Sequence, residues 1–135
     1  MIVYREYYIN SARFLPNLES SHICSNLHGH TYNIKVSVKG DVNPKSGFVI
    51  DAFEIDNHFE KVYKEIDHKL LNEIKGLENP TSENICIFVW SRLVKYIPNL
   101  LSLVNKKKVE QPTHLIIFNH KFTLKPRVIS LGGLK

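Results

Sequence analysis

Cysteine is scarce in this 135-residue chain: Cys24 and Cys86 are its two thiols. Two cysteines so far apart do not make a secreted disulfide scaffold. Methionine and tryptophan occur once each. No stretch approaches the ~20 apolar residues of a membrane span. The N-terminus lacks the charged-then-apolar layout of a signal peptide, so a cytoplasmic protein is expected. Repeats, low-complexity tracts and linkers are absent as well. So are zinc-finger spacing, a helix-turn-helix signature and an RNP motif, which weighs against nucleic-acid recognition and leaves the basic charge as its one support.

What is present suits one folded domain. The chain is 43% hydrophobic and 23% charged, enough to bury a core without disulfides. Its formal net charge is +5, with a pI near 9.2. That balance fits a phosphorylated small substrate as well as it fits nucleic acid. The one basic run, Lys106-Lys107-Lys108, reads as a solvated strand or loop.

The hydrophobic pattern gives the order strand, strand, helix, helix, strand, strand, an α+β class. Residues 2–11 are rich in Tyr, Ile and Val and read as a strand. Residues 12–29 read as a long loop. Along 30–40, Tyr32, Ile34, Val36 and Val38 alternate with Asn33, Lys35, Ser37 and Lys39, a half-buried strand. A turn over 40–47 leads to Phe48-Val-Ile50, which reads as a returning strand. From Asp51 the period lengthens: Phe53, Ile55, Phe59, Val62 and Ile66 form a helix face. Thr81 is placed as the N-cap of a second helix, with Glu83 in its first turn. The face of that helix is Ile85, Phe88, Val89, Leu93, Tyr96 and Ile97, and Pro98 ends it. Cys86 lies within this run and reads as a small buried hydrophobe. Strands follow around 103–110 and 114–120. In the tail, Phe122–Leu124 and Val128–Leu131 read as further strand or ordered tail.

Chemistry concentrates in two places. His28 and His30 are two residues apart, so in an extended chain they share a face about 6.5 Å apart. They have the parity of Tyr32, Ile34, Val36 and Val38 and so stand at the mouth of the apolar surface. Two imidazoles there are a buried hydrogen-bonded pair or converge on one ion. Cys24 precedes His28 by four residues; it is a base, a nucleophile or a metal ligand. Asp67 beside His68 is the second place, since a carboxylate can fix an imidazole tautomer for proton relay.

These segments carry a family resemblance. Cys24-Ser-Asn-Leu-His-Gly-His-Thr-Tyr32, Gly47-Phe-Val-Ile-Asp51, Ile66-Asp67-His68-Lys-Leu-Leu-Asn72 and Gly76-Leu-Glu-Asn-Pro-Thr-Ser-Glu83 stand in register. The chain resembles the 6-pyruvoyltetrahydropterin synthase / 6-carboxytetrahydropterin synthase family over about Tyr7 to Phe118. It looks closest to the bacterial 6-carboxy branch used in making queuosine. The resemblance implies a T-fold over residues 1–135: two antiparallel hairpins in one four-stranded sheet, two helices on one face, and an unassigned C-terminal extension from about 119. It implies a lyase that converts 7,8-dihydroneopterin triphosphate to 6-carboxy-5,6,7,8-tetrahydropterin or to 6-pyruvoyltetrahydropterin. It implies His28 and His30 as zinc ligands, Cys24 as catalytic base, Asp67 and His68 as proton relay, and Glu110 as the carboxylate that grips the pterin. It also implies a homohexamer or other homo-oligomer, with no nucleic-acid or membrane partner.

One residue departs from the pattern. Where the family has a third zinc-ligating histidine, this chain has Arg13 in Ser11-Ala12-Arg13-Phe14-Leu15-Pro16. Arginine stays protonated and offers no lone pair. Three arrangements follow. His22 or Cys24 completes the site. Metal binds weakly and the chemistry is altered. Or the chain is a diverged pterin-binding paralogue without zinc, with the Arg13 guanidinium at the metal position.

Overall fold

The fold is described from a computed structural model that covers residues 1–107 and the backbone of two further strands, 115–119 and 127–131. Tyr, Ile and Val put residues Ile2–Arg13 into strand β1, and the alternating stretch forms β2, His28–Lys39. They pair antiparallel, Ile2 opposite Lys39 and Arg13 opposite His28. The strands therefore reach further into the presumed loop than the hydrophobic pattern indicates. That extension makes Arg13 and His28 cross-strand neighbours.

Strand β3, Leu100–Lys107, pairs with the other edge of β2; β4, Leu115–Asn119, and β5, Arg127–Leu131, follow in turn. The sheet order is β1-β2-β3-β4-β5, all antiparallel. Among the described residues five strands thus stand where four were expected, and part of the C-terminal extension continues the sheet through β5. Phe122–Leu124 lie outside the described residues. The expected returning strand at Phe48–Ile50 does not form. Both edges of β2 are already taken, by β1 and β3. The segment makes a turn instead. Asn43 Oδ1 accepts the N–H groups of Lys45 and Ser46, and Gly47 adopts a φ of 77°.

Helix α1, Ala52–Ile66, starts at Asp51, whose carboxylate accepts the N–H of Phe53 at 2.9 Å. Its buried side is Ile55, Phe59, Val62 and Ile66. Phe53, assigned to that face by spacing, is exposed. Helix α2, Ser82–Leu93, is capped by Thr81, as its sequence suggests, with the Asn84 N–H donating to Oγ1 at 3.1 Å. Ile85, Cys86, Phe88, Val89, Trp90 and Leu93 are buried. Tyr96, beyond the helix, is exposed and stacks on His58. Both helices cover the same sheet face, which carries Ile9, Ile34, Val36, Val38 and Leu103 into one core. No helix among the described residues is long and apolar enough to cross a membrane. Asp51→Ala removes the α1 cap and is expected to cost about 1 kcal/mol of unfolding free energy, read from urea denaturation.

Candidate active site

The core gives way to polar groups at one end of the covered sheet face. On β1, Ser11 and Arg13 continue the inward row of Tyr7 and Ile9; on β2, His28 and His30 continue the row of Tyr32 and Ile34. On β3, Lys107 stands opposite Tyr32 and Asn105 opposite Ile34. The N-terminus of α2 lies over them: Arg13 Nη1 donates to the Pro80 carbonyl at 2.7 Å, and Asn105 Nδ2 to the Ser82 carbonyl at 3.4 Å.

This end holds many buried polar atoms without a hydrogen-bond partner among the described residues. They are His28 Nε2, His30 Nε2, Arg13 Nε, the Tyr32 hydroxyl, Ser82 Oγ and Asn105 Oδ1. Buried polar groups are normally satisfied, so such a cluster marks a place for a ligand. The two imidazoles stand edge to face, 4.6 Å between centroids. His28 Nδ1 is 2.6 Å from the Asn26 carbonyl. A carbonyl can only accept, so Nδ1 carries a proton, and in the neutral ring Nε2 presents a lone pair.

Burial, then the charges of Arg13 and Lys107, depress the His30 pKa to about 4. The ring is neutral at pH 7. Acid therefore protonates the unfolded chain first, and His30 lowers stability progressively as pH falls from about 6.5 to about 4. His30→Gln is expected to flatten that part of the stability–pH curve, measured by urea unfolding at steps between pH 7 and pH 4. Burial also pushes the Tyr32 hydroxyl up to about 12 and lowers Lys107, with Arg13 adding to the latter.

The histidines expected as metal ligands are thus brought together, but the third side chain is Arg13. It is 2% exposed and tethered to Pro80. Its guanidinium cannot coordinate, and no group of three His, Cys, Asp or Glu among the described residues forms a metal site. Catalytic zinc takes three protein ligands, so the described residues do not fit it. His22 does not supply a third ligand by approach to the pair: it is exposed, and its Nδ1 accepts the Cys24 N–H at 3.0 Å. Cys24 sits half-buried on the short turn Ile23–Ser25, near enough to Lys107 to act on its charge. Lys107 itself corrects the expectation of a solvated lysine run: Lys106 is exposed, whereas Lys107 is half-buried on the inner face.

Asp67 and His68 stand elsewhere, along the free edge of β1. The His68 N–H donates to Asn10 O at 2.7 Å, the Asn10 N–H to Asp67 Oδ1 at 3.0 Å and the Ala12 N–H to Lys69 O at 2.9 Å. His68 is held at φ 54°, an unusual conformation for a side-chain-bearing residue. Its Nδ1 is 2.6 Å from Asp67 Oδ2, and the side chain is 76% exposed. Burial raises the Asp67 carboxyl, but the Asn10 N–H, His68 and the Tyr63 hydroxyl outweigh it and leave the pKa below the usual carboxylate range. Asp67 therefore holds the Nδ1 proton and leaves His68 Nε2 facing outward. His68 borders a groove of about 690 Å³ lined also by Asn10, Ala12, Gly29, His30 and Thr31. His30 borders it too, while its Nε2 is buried. Glu110 lies outside the described residues.

Cys86 is an inert core thiol, 2% exposed and pushed up to about 12 by burial. Sequence reasoning missed Tyr32, Asn105 and Lys107 as members of the polar end. Parity along β3 groups Asn105 with Lys107, but the β2–β3 register was needed to set them beside His30.

A sequential antiparallel sheet with both helices inserted between β2 and β3 and packed on one face is the arrangement of a T-fold protein. The solved 6-pyruvoyl tetrahydropterin synthase of Caenorhabditis elegans has the same fold: TM-score 0.79 at 22% identity, covering 90% of this chain and 96% of that one. The family model described as 6-pyruvoyl tetrahydropterin synthase matches residues 2–121, and the chain belongs to that family. A Synechocystis 6-carboxy-5,6,7,8-tetrahydropterin synthase is 33% identical over 108 residues, 76% of this chain and 82% of that protein. A dihydroneopterin monophosphate aldolase of Pyrococcus furiosus is 39% identical over 77 residues, 57% of this chain. The chain spans 64% of the length of that aldolase and 60% of an Archaeoglobus fulgidus relative.

Proposed function

We propose that this protein is a pterin-forming lyase that acts on the phosphorylated side chain of a 7,8-dihydroneopterin. The observation that carries the reading is the pair of buried Nε2 atoms of His28 and His30 at the polar end of the sheet, without a partner among the described residues. Family membership supports it. Within it, Cys24 serves as base, the Asp67–His68 dyad moves the second proton through the outward His68 Nε2, and Glu110 grips the pterin edge with two parallel hydrogen bonds. The triphosphate is the substrate in the 6-carboxy and 6-pyruvoyl branches. Assembly into a homohexamer or other homo-oligomer belongs to the same reading.

Arg13 favours a second branch, a side-chain cleavage that needs no metal, and the name of the aldolase relative supports the cleavage itself. A base takes the 2′-hydroxyl proton. The C1′–C2′ bond breaks, and its electron pair enters the C6=N5 imine of the dihydropterin. The 2′ carbon leaves as an aldehyde, and the resulting enamine takes a proton at C1′. From a monophosphate the products are 6-hydroxymethyl-7,8-dihydropterin and glycolaldehyde phosphate.

Purified protein is to be incubated with dihydroneopterin triphosphate or monophosphate, with and without zinc. Release of triphosphate and acetaldehyde marks the 6-carboxy branch; zinc-independent glycolaldehyde phosphate marks the aldol branch. Tight pterin binding with no product from either substrate leaves a pterin-binding paralogue and refutes the lyase.

A further inference from the structure

We propose that Arg13 is the resident cation of this centre: it takes the place of a divalent ion and holds an anionic oxygen of the bound small molecule. Arg13 is 2% exposed, stands directly across from His28 and is anchored through Nη1 to the Pro80 carbonyl. A guanidinium carries five donors. Nε, also buried, has no partner among the described residues. None of the described ion pairs includes Arg13. A buried, unpaired charge is costly, so natural proteins pair it with an opposite one.

The surroundings sharpen the sign of the missing partner. Lys107, half-buried on the adjacent strand row, is a second cation whose charge Arg13 opposes. Glu83, in the first turn of α2, acts on Lys107 and offsets part of this charge. Among the described residues, two side-chain cations stand against one carboxylate beneath the positive end of a twelve-residue helix, a balance that repels a dication and attracts an anion. The lone pair on His28 Nε2 accepts the O–H of a hydroxyl on the same ligand. The site therefore takes a carboxylate or phosphate oxygen next to a hydroxyl. The lyase reading bears only on which small molecule supplies that oxygen; failure of the turnover assay leaves the anion response as it is.

The test uses chelator-treated, ¹⁵N-labelled full-length protein. Sodium acetate, inorganic phosphate and uncharged acetamide are titrated while the Arg13 Nε–H resonance is followed, assigned by its loss in Arg13→Gln. Acetate, phosphate or both are expected to shift it saturably, acetamide not, and the tighter anion identifies the ligand group. Lys107→Gln is expected to weaken the response about tenfold, the loss of one charge-assisted hydrogen bond. In parallel, Co²⁺ is expected to show only the weak bands of the aqueous ion with the wild type and the intense bands of a four-coordinate ion with Arg13→His. One tightly held Co²⁺ or zinc per wild-type chain overturns the proposal. So does an Arg13 resonance that neither anion moves. Both wild-type measurements stand whether or not Arg13→His folds.

Discussion

Replacing His68 with glutamine is expected to slow turnover of the dihydroneopterin phosphate by about 10²–10⁴-fold, the usual contribution of a positioned acid–base group. The ring is the outward end of a couple whose inner end is fixed by three neighbours: the Asn10 N–H, His68 Nδ1 and the Tyr63 hydroxyl all reach Asp67. Glutamine keeps a hydrogen-bonding side chain at the edge of β1 but cannot relay a proton. The main-chain bonds of residues 68 and 69 to Asn10 and Ala12 do not involve the ring. Unfolding free energy is therefore expected to change little. Asp67→Asn is expected to lower turnover as well, because the amide no longer selects the Nδ1-protonated tautomer. Its signature is a changed pH profile of kcat, which a purely structural role would not produce. Full turnover in His68→Gln would remove the dyad from the mechanism.

Phe59→Ala is expected to cause the largest loss of stability among single core truncations in α1, about 3–5 kcal/mol. Phe59 is 1% exposed, and its ring stacks on Tyr7 at 3.7 Å between centroids with planes 7° apart. Tyr7 in turn donates to Asp56 at 2.6 Å, and Arg5 forms an ion pair with the same carboxylate. Removing the ring opens a cavity where α1 rests on β1 and loosens the strand that ends in Arg13. The loss is read as a lower urea midpoint with an unchanged denaturant slope. A cost below about 1 kcal/mol would mean that the helix–strand contact contributes little.

Local rules carried much of this protein on their own. Alternation along 30–38 put His28 and His30 on the buried side of a strand, because side chains repeat every second residue whatever the partner strand is. The helix faces and the cap at Thr81 were equally local. So was the significance of Arg13, since no environment gives a guanidinium a lone pair for zinc. Phe53 and Tyr96 were misplaced because period alone does not say how far a packed surface extends. The strand expected at 48–50 failed for a non-local reason: β1 and β3 had already filled both edges of β2.

The sequence by itself thus determined the family, the α+β class and the two histidines with their shared parity. Tertiary structure alone decided what surrounds them. Strand register set Arg13 across from His28 and Lys107 beside Tyr32, and the seating of α2 brought the Pro80 carbonyl onto the guanidinium. Chain folding also put the Asp67–His68 couple on the edge of β1, with His68 in the groove that His30 borders. Register and packing join residues far apart in the chain, and no local periodicity encodes those distances. The same residues could have formed a solvated strand end; pairing and helix cover turned them into a buried, cationic centre.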